Sequence, residues 1–405
     1  MEPKQKVLLV GGGHAMLPLL KDPGGISNPD VEITLINDHQ YLYYSGMVPE
    51  FIGGVYSRDE VRINLKRLCE ESGIRYIEDT ATALHPEKRY LETNSGDQIA
   101  YNLIAFDIGS RTPGLYDQKK SIPTKPLYNI ERLKKYLRGE TENQKILSII
   151  GGGAAGIEIA LNVSASYRRD ISIGKLQVHI VEVTDRLLPM FKKKLSDYVT
   201  SLLEERGVNV HVNTKPREIV ENQITLSNGQ TINSDFIYWA TGSVGHPFFK
   251  KAGLPVDDQN FLKVNNHLQC ITYPEIFAAG DCSSILKQKN IRKIGIHAVK
   301  QGPLIKENLS RALNQIRTTG VIKQDELKSY KPYSVNPIII STGQSEAIWI
   351  SDSLWLHGSV MLRMKHYIDK KWIREYLADD KFRDGFFDLA DTANAKAVSR
   401  VKKEE

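Results

Sequence analysis

The stretch KILSIIGGGAAGIE, residues 145–158, decides the fold more strongly than any other part of the chain. An apolar run predicts a buried strand, Gly151, Gly153 and Gly156 follow it, and the apolar pattern after them is helical. In such a unit the first glycine permits a tight turn, the second lets backbone approach a pyrophosphate, and the third lets the helix pack on the strand. We therefore predict a dinucleotide site here, with these glycines and Ala155 at its phosphates.

A carboxylate stands where the ribose of this dinucleotide is expected. Residues 177–181 form a second predicted strand, which ends at Glu182. A carboxylate at that place binds the ribose 2′-hydroxyl and repels a 2′-phosphate, so NADH is favoured over NADPH. Arg186 and residues 192–194 are basic and keep NADPH open as the alternative, although a solvated basic surface is the simpler explanation of them.

A second glycine-rich turn lies near the start of the chain. The apolar run of residues 6–10 leads into GGGHA, residues 11–15, but Met16 stands where the motif G-x-G-x-x-G has its third glycine. Taken alone, this pattern fits an ordinary glycine turn as well as a dinucleotide site. The predicted cofactor contacts in this turn are Gly11, Gly13, His14 and Ala15.

The strand after this turn, Val31 to Ile36, ends at two residues that can accept hydrogen bonds from an adenosine ribose. Asn37 stands at the expected carboxylate position, and Asp38 follows one residue later. Either side chain can serve, and for Asp38 a turn residue that caps the next segment is a serious rival.

Two such motifs, beginning at Gly11 and Gly151, imply two bound dinucleotides. One is expected to be NAD(P)H, which carries hydride and diffuses away. The other is expected to be a resident redox carrier, for which FAD is the obvious candidate.

Three further segments carry a family resemblance. YNLIAFDIGS at 101–110 and SDFIYWATGS at 234–243 resemble the strands that link the two domains of the pyridine nucleotide-disulfide oxidoreductase superfamily. The first departs from the family pattern, with Asp107 and Ile108 in place of Ala-Thr. YPEIFAAGDC at 273–282 resembles the T-x-P-x-I-F-A-x-G-D motif of the same flavoproteins.

The resemblance covers roughly residues 6 to 312 and implies an α/β fold. That fold has two Rossmann-like dinucleotide-binding domains, with the NAD(P)H domain inserted in the FAD domain, and a smaller α+β region follows it at the C-terminus. The implied domains are 1–115 and 244–324 for the two parts of the FAD domain, 116–243 for the NAD(P)H domain, and 325–405 for the C-terminal domain with an amphipathic helix.

The resemblance assigns FAD to the first glycine motif and NAD(P)H to the second. It implies that Asp281 binds the flavin ribityl chain and that the helix near His297 directs its N-terminus toward the flavin. Glu158 matches a family glutamate near the nicotinamide, and a helix first-turn acid is the alternative. The further implied FAD contacts are Gly46, Met47, Gly109, Ser110, Arg111, Gly280, His297 and Ala298. Thr241 and Gly242 are the further NAD(P)H contacts, and the candidate catalytic residues are Glu158, His297 and Tyr44.

The cysteines do not form the C-x-x-C or C-x4-C pair that disulfide reductases carry beside the flavin. Cys69 lies in a helical pattern and is expected to be a small buried hydrophobe. A functional pair of Cys270 and Cys282 stays open. Electrons are therefore expected to leave the flavin directly to an acceptor.

Two short segments narrow the resemblance further. YSGMVP at 44–49 and GIHAVKQGP at 295–303 are similar to the NADH dehydrogenase-like branch associated with selenide, water dikinase, which is related to type II NADH:quinone oxidoreductases. Ile296 and Lys300 stand where type II enzymes carry glutamines at the quinone site. The implied function is an FAD-dependent NADH dehydrogenase that reduces a quinone or another acceptor. The rivals are an NADH-responsive redox-sensing flavoprotein and an electron donor to a protein partner.

Residues 359–377 are predicted to form a basic amphipathic helix. Its apolar stripe consists of Met361, Met364, Ile368, Trp372 and Tyr376. The basic residues mostly off this stripe are Lys365, Lys370, Lys371 and Arg374. Such a helix can lie on a membrane surface, or it can pack on the flavin domain or on a second subunit of a homodimer.

Composition sets the remaining expectations. The 405 residues are 41% hydrophobic and 25% charged, with a net charge of +6 and no long basic run interleaved with aromatics. We therefore expect no nucleic-acid partner. No stretch of 18 apolar residues occurs, so the expected location is the cytoplasm, and peripheral contact at the inner face of the cell membrane stays open. No metal site is predicted.

Overall fold

The structure, a computed structural model, describes residues 4–114, 120–139, 144–169, 175–286, 288, 291–332, 337–343, 345–351 and 354–378. The first part of the chain alternates strands with short helices. Its elements are β1 (Gln5–Val10), α1 (Leu17–Lys21), β2 (Val31–Asn37), β3 (Tyr41–Tyr43), α2 (Val48–Ile52), β4 (Arg62–Asn64), α3 (Leu65–Glu71), β5 (Arg75–Glu78), β6 (Ala81–His85), β7 (Tyr90–Thr93), β8 (Gln98–Ala100) and β9 (Leu103–Phe106).

The middle part of the chain repeats this alternation with longer helices. Its elements are β10 (Ser121–Pro123), α4 (Ile130–Arg138), β11 (Lys145–Ile150), α5 (Ala154–Arg169), β12 (Leu176–Val181), α6 (Lys193–Glu205), β13 (Val208–His211), β14 (Pro216–Val220), β15 (Gln223–Leu226), β16 (Thr231–Asn233) and β17 (Phe236–Trp239).

The last part holds the longest helix and a small antiparallel sheet. Its elements are α7 (Pro247–Lys251), β18 (Leu262–Val264), β19 (Ile276–Ala278), β20 (Ser283–Ile285), α8 (Gly295–Thr319), β21 (Ile338–Ser341), β22 (Ala347–Ile350), β23 (Trp355–Gly358) and α9 (Ser359–Arg374). Residues 379–405 of the predicted C-terminal domain lie outside the described residues.

Two five-stranded parallel sheets form the framework of the molecule. The first has the order β19-β9-β1-β2-β5 and the second the order β10-β17-β11-β12-β13. The central strands β1 and β11 are apolar along most of their length and buried. Strands covered on both faces require such near-continuous apolar runs. These runs are therefore why the two strands that precede the glycine turns lie in the middle of their sheets.

The two sheets share one topology. Strands β1, β2, β5 and β9 correspond in order and position to β11, β12, β13 and β17. In each half a three-stranded antiparallel sheet precedes the last of these strands, β6-β7-β8 in the first and β14-β15-β16 in the second. Strand order reverses beside β1 and beside β11, and open α/β sheets bind ligands at such switch points.

The second sheet is inserted in the first. All five of its strands lie in sequence between β9 and β19, which are neighbours in the first sheet. The outgoing and returning links touch each other through a bridge between Arg111 and Val244. The predicted α/β fold with one dinucleotide-binding unit threaded through the other is therefore confirmed, while its residue boundaries remain predictions.

The C-terminal sheet β21-β22-β23 and helix α9 connect the two units. The side-chain amide of Asn162, on α5, donates to the Ser341 carbonyl at 3.1 Å. On the other side, His366 of α9 lies 2.6 Å from Glu50 of α2. The C-terminal unit therefore contacts a helix from each of the two sheets.

Candidate functional site

Each glycine turn contains a position that only glycine can fill. Gly11 has φ +84°, and a Cβ there would come within 2.5 Å of the Asp107 carbonyl oxygen. Gly151 has φ +120°, and a Cβ there would overlap the Ala240 carbonyl. Positive φ strains any residue that carries a side chain. Asp107 and Ala240 each directly follow the corresponding strands β9 and β17, so the two turns are built alike.

The two turns differ at the third glycine position. A Cβ on Gly156 would overlap the carbonyl of Gly151, so glycine lets the 16-residue helix α5 start directly against the turn. Met16 is fully buried at the first turn, and the helix after it, α1, has only five residues. Helix α8 covers this region instead. Its residue Gly302 packs so closely on the first turn that an added Cβ would lie 3.1 Å from the Ala15 carbonyl oxygen.

The ends of β2 and β12 place one polar side chain each on the glycine turns. Gly12 donates its N–H to Oδ1 of Asn37 at 2.7 Å, and Gly152 donates to Oε2 of Glu182, also at 2.7 Å. Asn37 therefore holds the position that Glu182 holds in the second unit. Asp38 is exposed and accepts a hydrogen bond from a tyrosine hydroxyl, so the structure places Asn37 and not Asp38 against the turn.

Asp281 lies where the links between the two units meet. It forms an ion pair with Lys125, whose ammonium group also donates to the Ser110 hydroxyl at 2.8 Å. Gly280 donates its N–H to the side chain of Gln301 on α8 at 2.6 Å, which fixes the Gly-Asp turn on that helix. Sequence reasoning missed Lys125, because Asp281 reaches it only after the chain has returned from the second unit.

Two histidines near Asp281 carry buried nitrogen atoms without a partner. Nε2 of His14 and Nε2 of His297 are buried and have no hydrogen bond among the residues described. Burial lowers the pKa of His14 to about 4, with Asp281 opposing the shift. Nδ1 of His297 lies 2.9 Å from the Tyr330 hydroxyl. Since unpaired buried polar atoms are costly, both nitrogens fit a site that holds a polar ligand such as a flavin.

Helix α9 places an aromatic side chain against this end of the site. The ring of Trp372 stacks on His14 at 5.2 Å and on Tyr44 at 4.4 Å. The Tyr44 hydroxyl donates to Oδ1 of Asp369 at 2.9 Å. The predicted site residues His14 and Tyr44 are therefore brought together, and the C-terminal helix supplies a third ring that contacts both.

A group of charged side chains joins α9 to α2, and we call Glu50, Lys365, His366 and Asp369 the α9 charge cluster. The Lys365 ammonium lies 3.0 Å from Glu50 and 2.7 Å from Asp369, and it donates to the Gly46 carbonyl. Burial alone would raise the pKa of Glu50, but Lys365 and His366 hold it below its ordinary value. Burial is likewise outweighed at Lys365, where Asp369 and Glu50 raise the pKa well above its usual value.

This cluster corrects the predicted orientation of the C-terminal helix. Lys365, predicted to lie off the apolar stripe, is 4% exposed, whereas Ile368 of the predicted stripe is 49% exposed. The buried residues of α9 are Leu362, Lys365, Asp369 and Ile373. Apolar spacing failed here because the inward face is partly ionic, and the carboxylates of Glu50 and Asp369 compensate the buried ammonium group.

Glu158 lies on α5 beside the C-terminal sheet. Its Oε1 accepts a hydrogen bond from the backbone N–H of Ser341 at 2.8 Å. Burial raises the pKa of Glu158 to about 8, and the Lys365 ammonium and the Ser341 hydrogen bond oppose this shift. Burial therefore favours the neutral form of this carboxyl group.

The remaining predicted contacts differ in accessibility. Met47 and Ala298 are buried, whereas Arg111 is exposed on the link that pairs with Val244. In the second unit Gly242 is also exposed. Ala155 is exposed and Ser110 is buried. The remaining predicted contacts are partly accessible, and they are Gly13, Gly46, Gly109, Gly153 and Thr241. The structure leaves Arg111, Ala155 and Gly242 at the surface.

The cysteines are all reduced and buried. Cys69 lies on α3, as expected for a small buried hydrophobe. Cys282 contacts the Ala279 carbonyl at 3.1 Å and Cys270 contacts the Thr272 hydroxyl at 3.4 Å, so each has its own partner. Within the described part of the chain, no group of three or more His, Cys, Asp or Glu side chains could hold a metal ion.

The fold and the site define a protein with two dinucleotide sites, one in each sheet unit. Residues 5–302 match the family described as pyridine nucleotide-disulphide oxidoreductase, and the chain belongs to that family. The membership confirms the predicted superfamily, the two Rossmann-like units, and the prediction of an FAD-dependent NADH oxidoreductase with FAD and NADH as cofactors.

Individual relatives have low sequence identity to the chain but align with most of its length. The chain is 25% identical to the type II NADH:quinone oxidoreductase of Staphylococcus aureus (strain NCTC 8325 / PS 47) over 77% of its own length and 83% of that protein. It is 21% identical to a probable NADH dehydrogenase of Dictyostelium discoideum over 69% of its length and 68% of that protein.

Solved structures support the same fold. The sulfide:quinone oxidoreductase of Aquifex aeolicus superposes with a TM-score of 0.72 at 19% identity, covering 93% of each chain. NDH2 of Plasmodium falciparum, solved with NADH, superposes with a TM-score of 0.69 at 14% identity, covering 92% of this chain and 99% of that one.

Proposed function

We propose that the protein oxidises NADH through FAD and passes the electrons to a quinone-type acceptor without a redox-active disulfide. The observation that carries this proposal is the stack of Trp372 on Tyr44 and His14 at the end of the first glycine turn. A flat, conjugated ring is recognised by stacking on aromatic side chains. The acceptor named for the Staphylococcus aureus relative is a quinone, which is such a ring.

The residues that would hold the two cofactors follow from the geometry. FAD is assigned to the first turn with Asn37 and to the Asp281 turn, and NADH to the second turn with Glu182. When bound, FAD would take up hydride from NADH and pass two electrons on to an acceptor. The contribution of the chain is to position the rings and to exclude water, because no side chain here needs to form a covalent bond.

The α9 charge cluster supports an acceptor that takes up protons. Reduction of a quinone by two electrons consumes two protons, one more than a hydride provides. Burial favours the neutral form of Glu158, since it raises the pKa to about 8, and this group interacts with Lys365 of the cluster. Asp369 of the cluster in turn accepts the hydrogen bond of the Tyr44 hydroxyl. The chain thus offers a neutral carboxyl group that interacts with the cluster and a tyrosine hydroxyl within the aromatic stack.

The cysteine positions favour direct electron transfer from the flavin. Cys270 and Cys282 are free, buried and hydrogen-bonded to different neighbours. Burial raises the pKa of Cys282 far above that of an ordinary thiol, which suppresses the thiolate needed for disulfide exchange.

The test is an anaerobic NADH titration of the purified protein, followed by addition of soluble ubiquinone or menaquinone analogues. Flavin bands that bleach with NADH and recover with quinone are expected. In Trp372→Ala the bleaching should persist while recovery slows by about tenfold, whereas Trp372→Phe keeps a ring and should stay close to wild type. Equal recovery in all three proteins would remove the aromatic stack from the acceptor site.

A second candidate function is transfer of electrons to a protein partner, or signalling by the reduced protein. The observation that favours it is Ile296, 42% exposed in the first turn of α8, where the related type II enzymes are expected to carry a quinone-site glutamine. Bleaching by NADH without recovery by any quinone would select this candidate.

We also propose that the outer face of α9 meets a membrane surface. Val360, Tyr367 and Ile368 are exposed there, and Arg363 and Lys371 lie among them. Exposed apolar and basic residues on one helix are typical of binding to anionic lipid. None of the helices in the described ranges has the length and apolar character needed to cross a bilayer. A homodimer contact through the same face is the alternative.

A further inference from the structure

A buried carboxyl group lies inside the first glycine turn. Asp107 is 4% exposed, and its Oδ2 accepts a hydrogen bond from the backbone N–H of Ala15 at 2.8 Å. Ala15 is one of the turn residues that dinucleotide-binding units direct toward a pyrophosphate. The carboxyl group therefore uses a donor that a phosphate oxygen would use.

Two glycines locate this carboxyl group in three dimensions. A Cβ on Gly13 would lie 2.5 Å from Oδ1 of Asp107, and a Cβ on Gly280 would overlap the same oxygen. In glycine motifs of this kind the second glycine lacks a side chain so that the backbone can approach the pyrophosphate. The Asp107 side chain thus lies between the glycine turn and the Asp281 turn, on the side where the phosphates of FAD are expected.

The second unit provides an internal comparison. The turn at Gly151 approaches Ala240 as the turn at Gly11 approaches Asp107, so these two residues are equivalent. A Cβ on Gly153 would have no atom within 4 Å. Among the residues that the structure describes, the phosphate side of the second turn is therefore open, and only the first turn contains a carboxyl group there.

The surroundings of Asp107 favour its neutral form. Burial, and to a smaller extent the charge of Asp281, raises the pKa of Asp107 to about 7 against the opposing effect of the N–H groups of Ala15 and Met16. The cation nearest to Asp281, Lys125, is already paired with that aspartate.

Burial shifts two histidines, a cysteine and a lysine around this turn toward their neutral forms. Burial lowers the pKa of His14 to about 4 and also lowers that of His297 on α8. Burial raises the pKa of Cys282, which lies against Asp107, far above neutrality, and lowers that of Lys293. Among these groups, Asp107 is the carboxyl whose pKa is raised to about 7.

We propose that FAD binding takes up one proton at Asp107, because the neutral acid and not the carboxylate shares the turn with the pyrophosphate. Two anions in contact within a buried site repel each other strongly, whereas a protonated carboxyl donates a hydrogen bond to a phosphate oxygen. Asp107 thereby makes retention of the flavin dependent on pH, and the equivalent Ala240 imposes no such dependence on NADH.

The test is the dissociation constant of FAD from the full-length protein, measured by flavin fluorescence from about pH 6 to about pH 9, where ordinary carboxyl groups stay ionised. FAD itself has no group that titrates near neutral pH. Above the pKa of Asp107 the wild-type constant should rise by about tenfold per pH unit, as expected for uptake of one proton. Asp107→Asn and Asp107→Ala should each show a constant that does not depend on pH.

Asp22→Asn is the matched control, since Asp22 is exposed and pairs with Lys306 away from the turn, and it should keep the wild-type slope. Calorimetry in two buffers with different ionisation enthalpies counts the protons taken up by the wild type directly, so the proposal is tested even if both Asp107 variants misfold. A wild-type dissociation constant that does not change with pH, or a wild-type slope in Asp107→Asn, would overturn the proposal. Activity with NADH and quinone is not part of this measurement, so its outcome is separate from that of the proposed acceptor.

Discussion

Asn37 and Glu182 hold the same place on the two glycine turns but differ in charge. Each accepts the N–H of the turn's middle glycine at 2.7 Å. The second oxygen of Glu182 accepts the N–H of Thr184 at 2.9 Å, which fixes the carboxylate. A fixed negative charge discriminates against a 2′-phosphate, whereas an amide does not.

Replacement of Glu182 by Ala is therefore expected to raise the KM for NADH by about tenfold, with a smaller loss of kcat, because a ribose and a backbone donor both lose their acceptor. Glu182→Gln keeps an acceptor for Gly152 and should recover part of the loss. Steady-state kinetics with NADH and NADPH provide the measurement. Unchanged use of both cofactors in Glu182→Ala would show that the ribose lies elsewhere.

Glu158 makes stability depend on pH. A carboxyl whose pKa is raised in the folded state binds its proton more tightly there than in the unfolded chain. The contribution of Glu158 to the free energy of unfolding should therefore fall as pH rises from its ordinary pKa of 4.5 to about 8. Denaturation of the wild type and of Glu158→Gln across this range tests this, because the wild type should lose stability relative to Glu158→Gln as pH rises. A difference independent of pH would contradict the burial of an ionisable Glu158.

At the scale of the element, α9 shows where prediction from sequence stops. The spacing of apolar residues predicted a helix over residues 359–377, and α9 runs from Ser359 to Arg374. Its orientation was predicted wrongly, because Lys365 and Asp369 face inward. The residue that neutralises Lys365 from outside the helix is Glu50, which is distant in sequence, and no periodicity within α9 could indicate it.

Replacement of Lys365 by Met should lower the free energy of unfolding by about 3 to 5 kcal/mol, because Glu50 and Asp369 remain buried without their cation. Lys371 lies on the exposed side of the same helix, so Lys371→Met is the matched control and should change stability little. Chemical denaturation of both variants compares them. Equal effects would show that the α9 charge cluster contributes nothing specific.

The outer face of α9 gives a separate prediction. The double variant Tyr367→Glu and Ile368→Glu should weaken sedimentation with anionic vesicles by at least about tenfold, because two apolar side chains no longer enter the lipid boundary. Val321 is 61% exposed and lies outside α9, so the control variant Val321→Glu should bind vesicles as the wild type does. Vesicle binding that is the same in all three proteins would leave the dimer contact as the explanation of this face.

At the scale of the whole molecule, local patterns predicted the framework and the glycine turns, whereas contacts between distant segments were not predictable. The runs before Gly11 and Gly151 gave β1 and β11, and the polar residues after β2 and β12 reached the turns as expected. Lys125 meets Asp281 only because the chain passes between the units there. The departure at Asp107 was visible in the sequence, but its place against Gly13 required the structure.

The insertion of one sheet within the other also sets an order of assembly during synthesis on the ribosome. Strand β9 can pair with β1 as soon as residues 103–106 emerge. Its partner on the other edge is β19, which emerges only when residues 276–278 are made. All five strands of the inserted sheet leave the ribosome in the meantime and can complete their own core first. Domains usually fold as units in the order of synthesis, whereas here the unit that begins first finishes last. Its open strand edge is therefore the part of the nascent chain most exposed to wrong pairing with other chains.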